Sequence, residues 1–248
     1  MEEDSVKKIV KTQYGKIATK NGCCGSCSCG AESENERIAK SIGYSDQEIQ
    51  TVPEANLGLG CGNPIAMGNI NEGDTVLDLG SGAGFDCFLA SKRVGPSGKV
   101  IGVDMTQEMI DRAKENATKY GYANVEFKLG DIDYLPIDDG SIDIAISNCV
   151  INLVPDKSKV FNEVHRVLKQ GGKMYVSDIV LLEDLTEVQR NDEELIAGCV
   201  GGALRKDDYV DIIKNAGFRV TILSEDKDIS KRQYRQLPVE SIKIEAVK

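Results

Sequence analysis

The chain has 248 residues, 41% of them hydrophobic and 28% charged, with a net charge of −10. That is enough for one sizeable core, or for one domain with an extension, and the acidic balance argues against a nucleic-acid partner because nothing would neutralise a phosphate backbone. No run approaches the roughly 18 apolar residues of a membrane span, and the opening Met1-Glu-Glu-Asp-Ser-Val-Lys-Lys has no signal-peptide core, so a cytoplasmic protein without membrane partners is expected.

Val6, Ile9, Val10 and Ile17 recur at helical spacing and predict a helix over residues 5–20. The Gly- and Ser-rich stretch from Asn21 to Gly30 reads as a loop. Ser45 to Glu48 has the form of a capping box, and Asn63-Pro64 that of a helix cap and first position. From residue 74 strands and helices alternate. Strands are predicted at Thr75–Leu79, Val100–Val103, Val125–Leu129, Ile142–Ser147 and Lys173–Val180. Helices are predicted to about Val94, over Gln107–Tyr120 and over Lys157–Leu168. Helices over Glu187–Ala197 and Asp207–Asn215 precede two last strands, Arg219–Leu223 and Ser241–Val247. Ile242, Ile244 and Ala246 alternate with charged residues, the pattern of a half-exposed edge strand. The expected fold class is therefore α/β: a Rossmann-like, seven-stranded, mostly parallel sheet with helices on both faces and an antiparallel last strand. The expected division is an N-terminal helical extension with a Cys-rich loop at 1–70, then the main domain at 71–248.

Asp78-Leu-Gly80-Ser81-Gly82-Ala-Gly84 follows the first strand and opens a helix, where glycines let the backbone approach a ligand closely. Asp104 closes the second strand, placed to grip two ribose hydroxyls, with Met105 beside it. Gly130-Asp131-Ile132 ends the third strand, suited to an adenine amine and ring. A dinucleotide fingerprint is G-x-G-x-x-G. This chain has G-x-G-x-G after an acid, which resembles the class I methyltransferases and implies S-adenosylmethionine as cofactor. Asn148, at the end of the fourth strand, joins the expected cofactor-binding set.

Eight cysteines in a reducing compartment point to metal binding or catalysis rather than disulfides, and a lone His165 leaves little material for a His-rich zinc site or a Ser-His-Asp triad. Cys149 lies just beyond the fourth strand, at the carboxyl edge where ligands bind in open α/β sheets. Cys61 and Cys199 sit on segments that can fold over that edge. All three lie in polar or glycine-rich turns with little apolar surface to fill. Thiols gathered beside a methyl donor suggest a thiophilic methyl acceptor.

The contexts Cys61-Gly-Asn-Pro, Ser-Asn-Cys149-Val-Ile-Asn-Leu and Ala-Gly-Cys199-Val-Gly-Gly-Ala resemble the signatures of arsenite S-adenosylmethionine methyltransferases over about residues 40–205. The resemblance implies that Cys61, Cys149 and Cys199 bind trivalent arsenic as thiolates, with an arsenic-binding segment near 181–206. It implies methylation of arsenite or its thiol conjugates, serving arsenic detoxification. An N-terminal cysteine, Cys23 or Cys24, is implied in thiol exchange, with thioredoxin or glutathione as the thiol reductant. The further C-terminal domain of longer members is not expected after the seventh strand.

Cys87 reads as core packing and His165 as a surface or packing residue. Cys23, Cys24, Cys27 and Cys29 suffice in number for zinc or an iron–sulfur cluster, but their spacing is tighter than that of a zinc ribbon, which favours accessory arsenic capture or a redox segment. Two other functions stay open. A methyltransferase for another small molecule, such as a quinone precursor, has no need of the three cysteines. A non-catalytic thiol trap for metalloids leaves Asp78, Asp104 and Asp131 unexplained.

Overall fold

A computed structural model describes residues 3–19 and 32–248. Cys23, Cys24, Cys27 and Cys29 lie outside the described residues. Helix α1 spans Glu3–Thr19, and the short helices α2 (Glu34–Ser41), α3 (Asp46–Ile49) and α4 (Pro64–Met67) follow. Ser33 and Ser45 open α2 and α3 with full capping boxes, each side chain accepting from the backbone three residues on while the glutamate there reaches back. Asn63 caps α4, its Oδ1 accepting from the Ala66 amide at 2.9 Å.

Near-continuous apolar runs then build the sheet: β1 (Thr75–Leu79), β2 (Lys99–Asp104), β3 (Val125–Leu129), β4 (Ile142–Asn148) and β5 (Leu168–Leu181). Such runs form strands covered on both faces. The covering helices are α5 (Phe85–Val94), α6 (Gln107–Tyr120) and α7 (Lys157–Val167). After β5 come α8 (Glu187–Arg190), α9 (Glu193–Ala197) and α10 (Lys206–Asn215), then β6 (Arg219–Asp226), α11 (Ile229–Gln233) and β7 (Val239–Val247). The single helix expected over 187–197 is two. Thr186 caps the first turn and Asp192 caps the second, so the chain restarts rather than continues.

The strand order is β3-β2-β1-β4-β5-β7-β6, parallel through the first five, with β7 antiparallel to both β5 and β6. The edge strand expected at the end of the chain is thereby corrected. β7 is hydrogen-bonded on both sides, and β6 forms the edge. Alternation reports which faces are covered, not which edges are paired. Ile242, Ile244 and Ala246 are buried, while Glu245 points to the other face and accepts from Tyr175 Oη at 2.8 Å and Lys173 Nζ at 3.0 Å.

Val10 of α1, Ala39 of α2 and Ile49 of α3 join the apolar cluster that covers one face of the sheet with Val76, Val100 and Ile146. The opposite cluster centres on Leu77, Phe161, Met174 and Tyr209. The N-terminal helices thus share the main core and stand over the carboxyl end of the strands. No helix among the described residues is long and apolar enough to cross a membrane.

Candidate active site

A cavity of about 410 Å³ opens at the carboxyl end of β1, β2 and β4, roofed by α1 and α2. Asp78, Gly80, Ser81, Gly82, Asp104, Met105, Asp131, Ile132 and Asn148 all line it. Gly80 and Gly82 have φ of +66° and +52°, in the left-handed region that favours glycine. A Cβ at Gly80 would meet Val150 Cγ2 at 2.3 Å, whereas one at Gly82 would enter open space. Gly84 is not on the wall. It caps α5 at φ +94°, and a Cβ there would meet Phe127 and Phe88 at 2.7–2.8 Å, so it serves packing.

Asp104 accepts from the amides of Gly82 (2.9 Å) and Thr106 (2.8 Å), which aims its carboxylate across the glycine turn. Asp131 Oδ1 is buried and accepts no hydrogen bond among the described residues, although Lys7 and Lys11 of α1 stand at 3.6 Å and 3.9 Å from its carboxylate. Burial raises the Asp78 carboxyl well above the ordinary carboxylate range. Cys87, fully buried as expected, is more than filling, because its Sγ donates to Asp78 Oδ2 at 3.2 Å. His165 packs edge-on against Phe218 at 5.2 Å, away from the cavity.

The three cysteines converge beside this cavity. Cys149 and Cys199 are on its wall, and Cys61 lies behind them. All three are free thiols, 2%, 6% and 4% exposed for Cys61, Cys149 and Cys199. Each is placed by a distinct local device. Cys61 sits between Gly60, where a Cβ would meet the Asn148 amide at 2.8 Å, and Gly62, where one would meet Ser177 Oγ at 1.9 Å. Glycines on both sides bring its backbone against β4 and β5. Its amide donates to Asn148 Oδ1 (3.1 Å), and its carbonyl accepts from Ser241 Oγ (2.8 Å) on β7. Cys149 turns the chain out of β4 at φ +59°, its amide bonded to the Ser177 carbonyl at 2.8 Å. Cys199 ends α9 at φ +68°, where the amides of Val200 and Gly201 close on the Leu195 carbonyl. Helix ends of this kind normally carry glycine. A left-handed cysteine costs about 1–2 kcal/mol, and two such residues in one site are strain held by the surrounding fold.

The sulfurs of Cys61 and Cys149 lie within 4.8 Å of each other. The neighbouring Cys199, then Cys61, hold the Cys149 thiol well below the ordinary range. Cys199 is raised chiefly by Cys149, and Cys61 chiefly by burial. Cys199 Sγ also lies 2.7 Å from the Cys149 carbonyl. Two tyrosines close over the group. Tyr234 Oη is 3.6 Å from Cys149 Sγ, and Tyr14 of α1 bonds the Ala197 carbonyl at 3.3 Å and reaches Cys199.

Sequence reasoning missed Tyr14, Tyr234 and Asp178. A carboxylate oxygen of Asp178 and the sulfurs of Cys61 and Cys149 all lie within 4.8 Å of one another. The available signal was an acid inside the apolar run of β5, which a buried strand admits only with partners. A second missed group joins the two halves of the site. Asn148 Nδ2 donates to Tyr44 Oη (3.0 Å), the Gly62 carbonyl (2.9 Å) and Asp86 Oδ2 (3.2 Å), and Tyr44 donates to Asp86 Oδ1 (2.6 Å).

A methyltransferase-domain family matches residues 70–217. The arsenite methyltransferase of Halobacterium salinarum is 44% identical over 87% of this chain, and that of Aquipseudomonas alcaligenes 38% over 89%. The crystal structure of an arsenic (III) S-adenosylmethionine methyltransferase from Chlamydomonas reinhardtii superposes with a TM-score of 0.67 at 34% identity, over 88% of this chain and 75% of that one. The chain belongs to the arsenic methyltransferase family. It spans 58% and 64% of the length of the two curated relatives.

Proposed function

We propose that the protein transfers the methyl group of S-adenosylmethionine to trivalent arsenic held by Cys61, Cys149 and Cys199. The observation that carries this reading is the convergence of three thiols from distant segments, Cys149 and Cys199 on the wall of the cavity that also presents Asp104 and Asp131, and Cys61 beside Cys149. A methyltransferase for a quinone precursor has no use for such a cluster, and a thiol trap has no use for the glycine turn.

The cavity fits the cofactor. Asp104 faces it with a carboxylate suited to two ribose hydroxyls, Asp131 Oδ1 accepts no hydrogen bond among the described residues, and the open space at Gly82 admits a ligand against the backbone. S-adenosylmethionine supplies an electrophilic methyl group there. Soft sulfur donors select soft centres, and Cys149, whose thiol is the most acidic of the three, is the first to engage arsenite. Each As–S bond formed by a thiol replaces an As–OH bond, the thiol proton leaving with the hydroxyl as water; a thiolate displaces hydroxide instead. Arsenic bound by three sulfurs keeps a lone pair, so methylation requires no general base. The protein contributes alignment, worth up to about 7–11 kcal/mol in favourable cases. A cytoplasmic location and a thioredoxin- or glutathione-type reductant that restores the thiols complete the proposal, supported by the free state of Cys61, Cys149 and Cys199. Cys23 and Cys24 belong to it as thiol-exchange partners on the family resemblance alone.

The test is arsenic speciation after incubation with arsenite, S-adenosylmethionine and a thiol, beside a Cys149→Ser variant. Methylated arsenic from the wild type only is expected. Full methylation by Cys149→Ser sinks the assignment.

A further inference from the structure

Asp178 is fully buried, yet both its oxygens are fixed. Oδ1 accepts from Asn152 Nδ2 and from the Ile179 amide, each at 2.9 Å, and Oδ2 accepts from Tyr209 Oη at 2.9 Å. Lys157, also buried, donates to the Val154 carbonyl at 3.2 Å and adds a cation nearby. A carboxylate held this firmly against two thiols exceeds the needs of arsenic, which takes three sulfurs and no fourth donor. It matches instead the way proteins orient a ligating carboxylate, through hydrogen bonds from an outer shell.

The donor set decides the class of ligand. The sulfurs of Cys61 and Cys149 and an oxygen of Asp178 lie within 4.8 Å of one another, while Cys199, outside that group, bonds the Cys149 carbonyl through its Sγ at 2.7 Å. Thiolates and a carboxylate together suit a four-coordinate, borderline-soft divalent cation, zinc foremost. We infer that Cys61, Cys149 and Asp178 bind a zinc-type cation, with its fourth position open, that caps these thiols in the absence of arsenite. The cation takes both sulfurs as thiolates, so its binding displaces their protons and leaves neither free to engage arsenite. Competition with arsenite rests on the proposed function; the cation site itself does not. Asp178 is then what separates the two ligands, dispensable for the trivalent element and required for the divalent one.

The experiment uses the full chain with Cys23, Cys24, Cys27 and Cys29 changed to Ser, so that no other thiol cluster contributes, and Co²⁺ alone as the probe. One equivalent should give the visible absorption of tetrahedral cobalt thiolate, bleached by zinc and by arsenite. Asp178→Asn should weaken cobalt binding by at least about 10–100-fold while arsenite retention is unchanged. Tyr209→Phe keeps the ring and the carboxylate but frees its oxygen, and should lose about 10-fold, which serves if Asp178→Asn does not fold. No tetrahedral spectrum in a protein that retains arsenite overturns the site, as does wild-type cobalt affinity in Asp178→Asn or in Cys149→Ser. Asp178-dependent cobalt binding, together with no arsenite methylation by the unsubstituted chain, leaves the cation site standing and removes the methylation reading.

Discussion

The two halves of the cavity are built in opposite ways. The proposed cofactor side runs from Asp78 to Ile132, a single stretch in which a strand end, a glycine turn and two further strand ends supply all its groups but Asn148. The thiol side draws on residues 60–62, 148–149, 178 and 198–199, with Tyr14 and Tyr234 from opposite ends of the sequence. Parallel strands place the first half automatically, because ligands bind at their carboxyl ends. The second half must be tied together by long-range polar bonds and two left-handed cysteines. A local motif tolerates variation around it, whereas a site assembled across the chain depends on its ties.

The tie shared by both halves is the one to cut first. Asn148→Ala removes the acceptor of the Cys61 amide and the donor to Tyr44, Gly62 and Asp86, all within the fold. It should cost about 2–4 kcal/mol, with several buried groups left unpaired at about 1–3 kcal/mol apiece, and arsenite binding should fall further than S-adenosylmethionine binding. Denaturant melts and two calorimetric titrations read this; equal losses would mean that Asn148 does not favour the thiol side. Gly62→Ala should come next, since its Cβ must displace Ser177 Oγ from 1.9 Å. Arsenite retention should drop at least about tenfold, the scale of misplaced ligands, with cofactor affinity preserved. Gly82→Ala reverses that pattern. Its Cβ meets nothing in the protein but carries the left-handed penalty of about 1–2 kcal/mol and fills cofactor space. S-adenosylmethionine binding should weaken while arsenite retention holds, and the reverse result would collapse the distinction between the halves.

The smallest effect is a matter of pH. Burial lifts the Asp86 carboxyl from 3.8 to about 6. The folded chain therefore binds this proton more tightly than the unfolded chain does, so the Asp86 contribution to stability falls as pH rises from about 4 to about 6 and is flat above that. Asp86→Asn should remove this downward component. Comparing urea midpoints at about pH 4.5 and pH 7 for both proteins checks it, and identical pH dependence in the two would show that Asp86 titrates normally.

Much of the cofactor half was legible because its signals are local. Gln107–Tyr120 holds to the residue, and the capped starts at Ser45 and Asn63 hold as well. The turn contexts of Cys149 and Cys199 pointed to the carboxyl edge of the sheet, and both line the cavity there while also joining the buried apolar cluster. What could not be read is what faces them. Tyr14 and Tyr234 reach Cys199 and Cys149 across 185 and 85 residues, through packing of α1 and α11 that no spacing encodes. Asp178 was hidden by its strand, whose apolar pattern is satisfied with or without it. β7 was assigned an edge because alternation is blind to strand pairing.

The place of β7 has a consequence for how the protein comes into being. Ser241 on this strand holds the Cys61 carbonyl, and β7 fills the gap between β5 and β6. Chains emerge from the ribosome N-terminus first, at about 5–20 residues per second. Cys61, Cys149 and Cys199 are therefore all translated before the strand that completes their setting. For several seconds the nascent chain carries its thiols without their final enclosure, open to oxidants and to any thiophilic ion it meets.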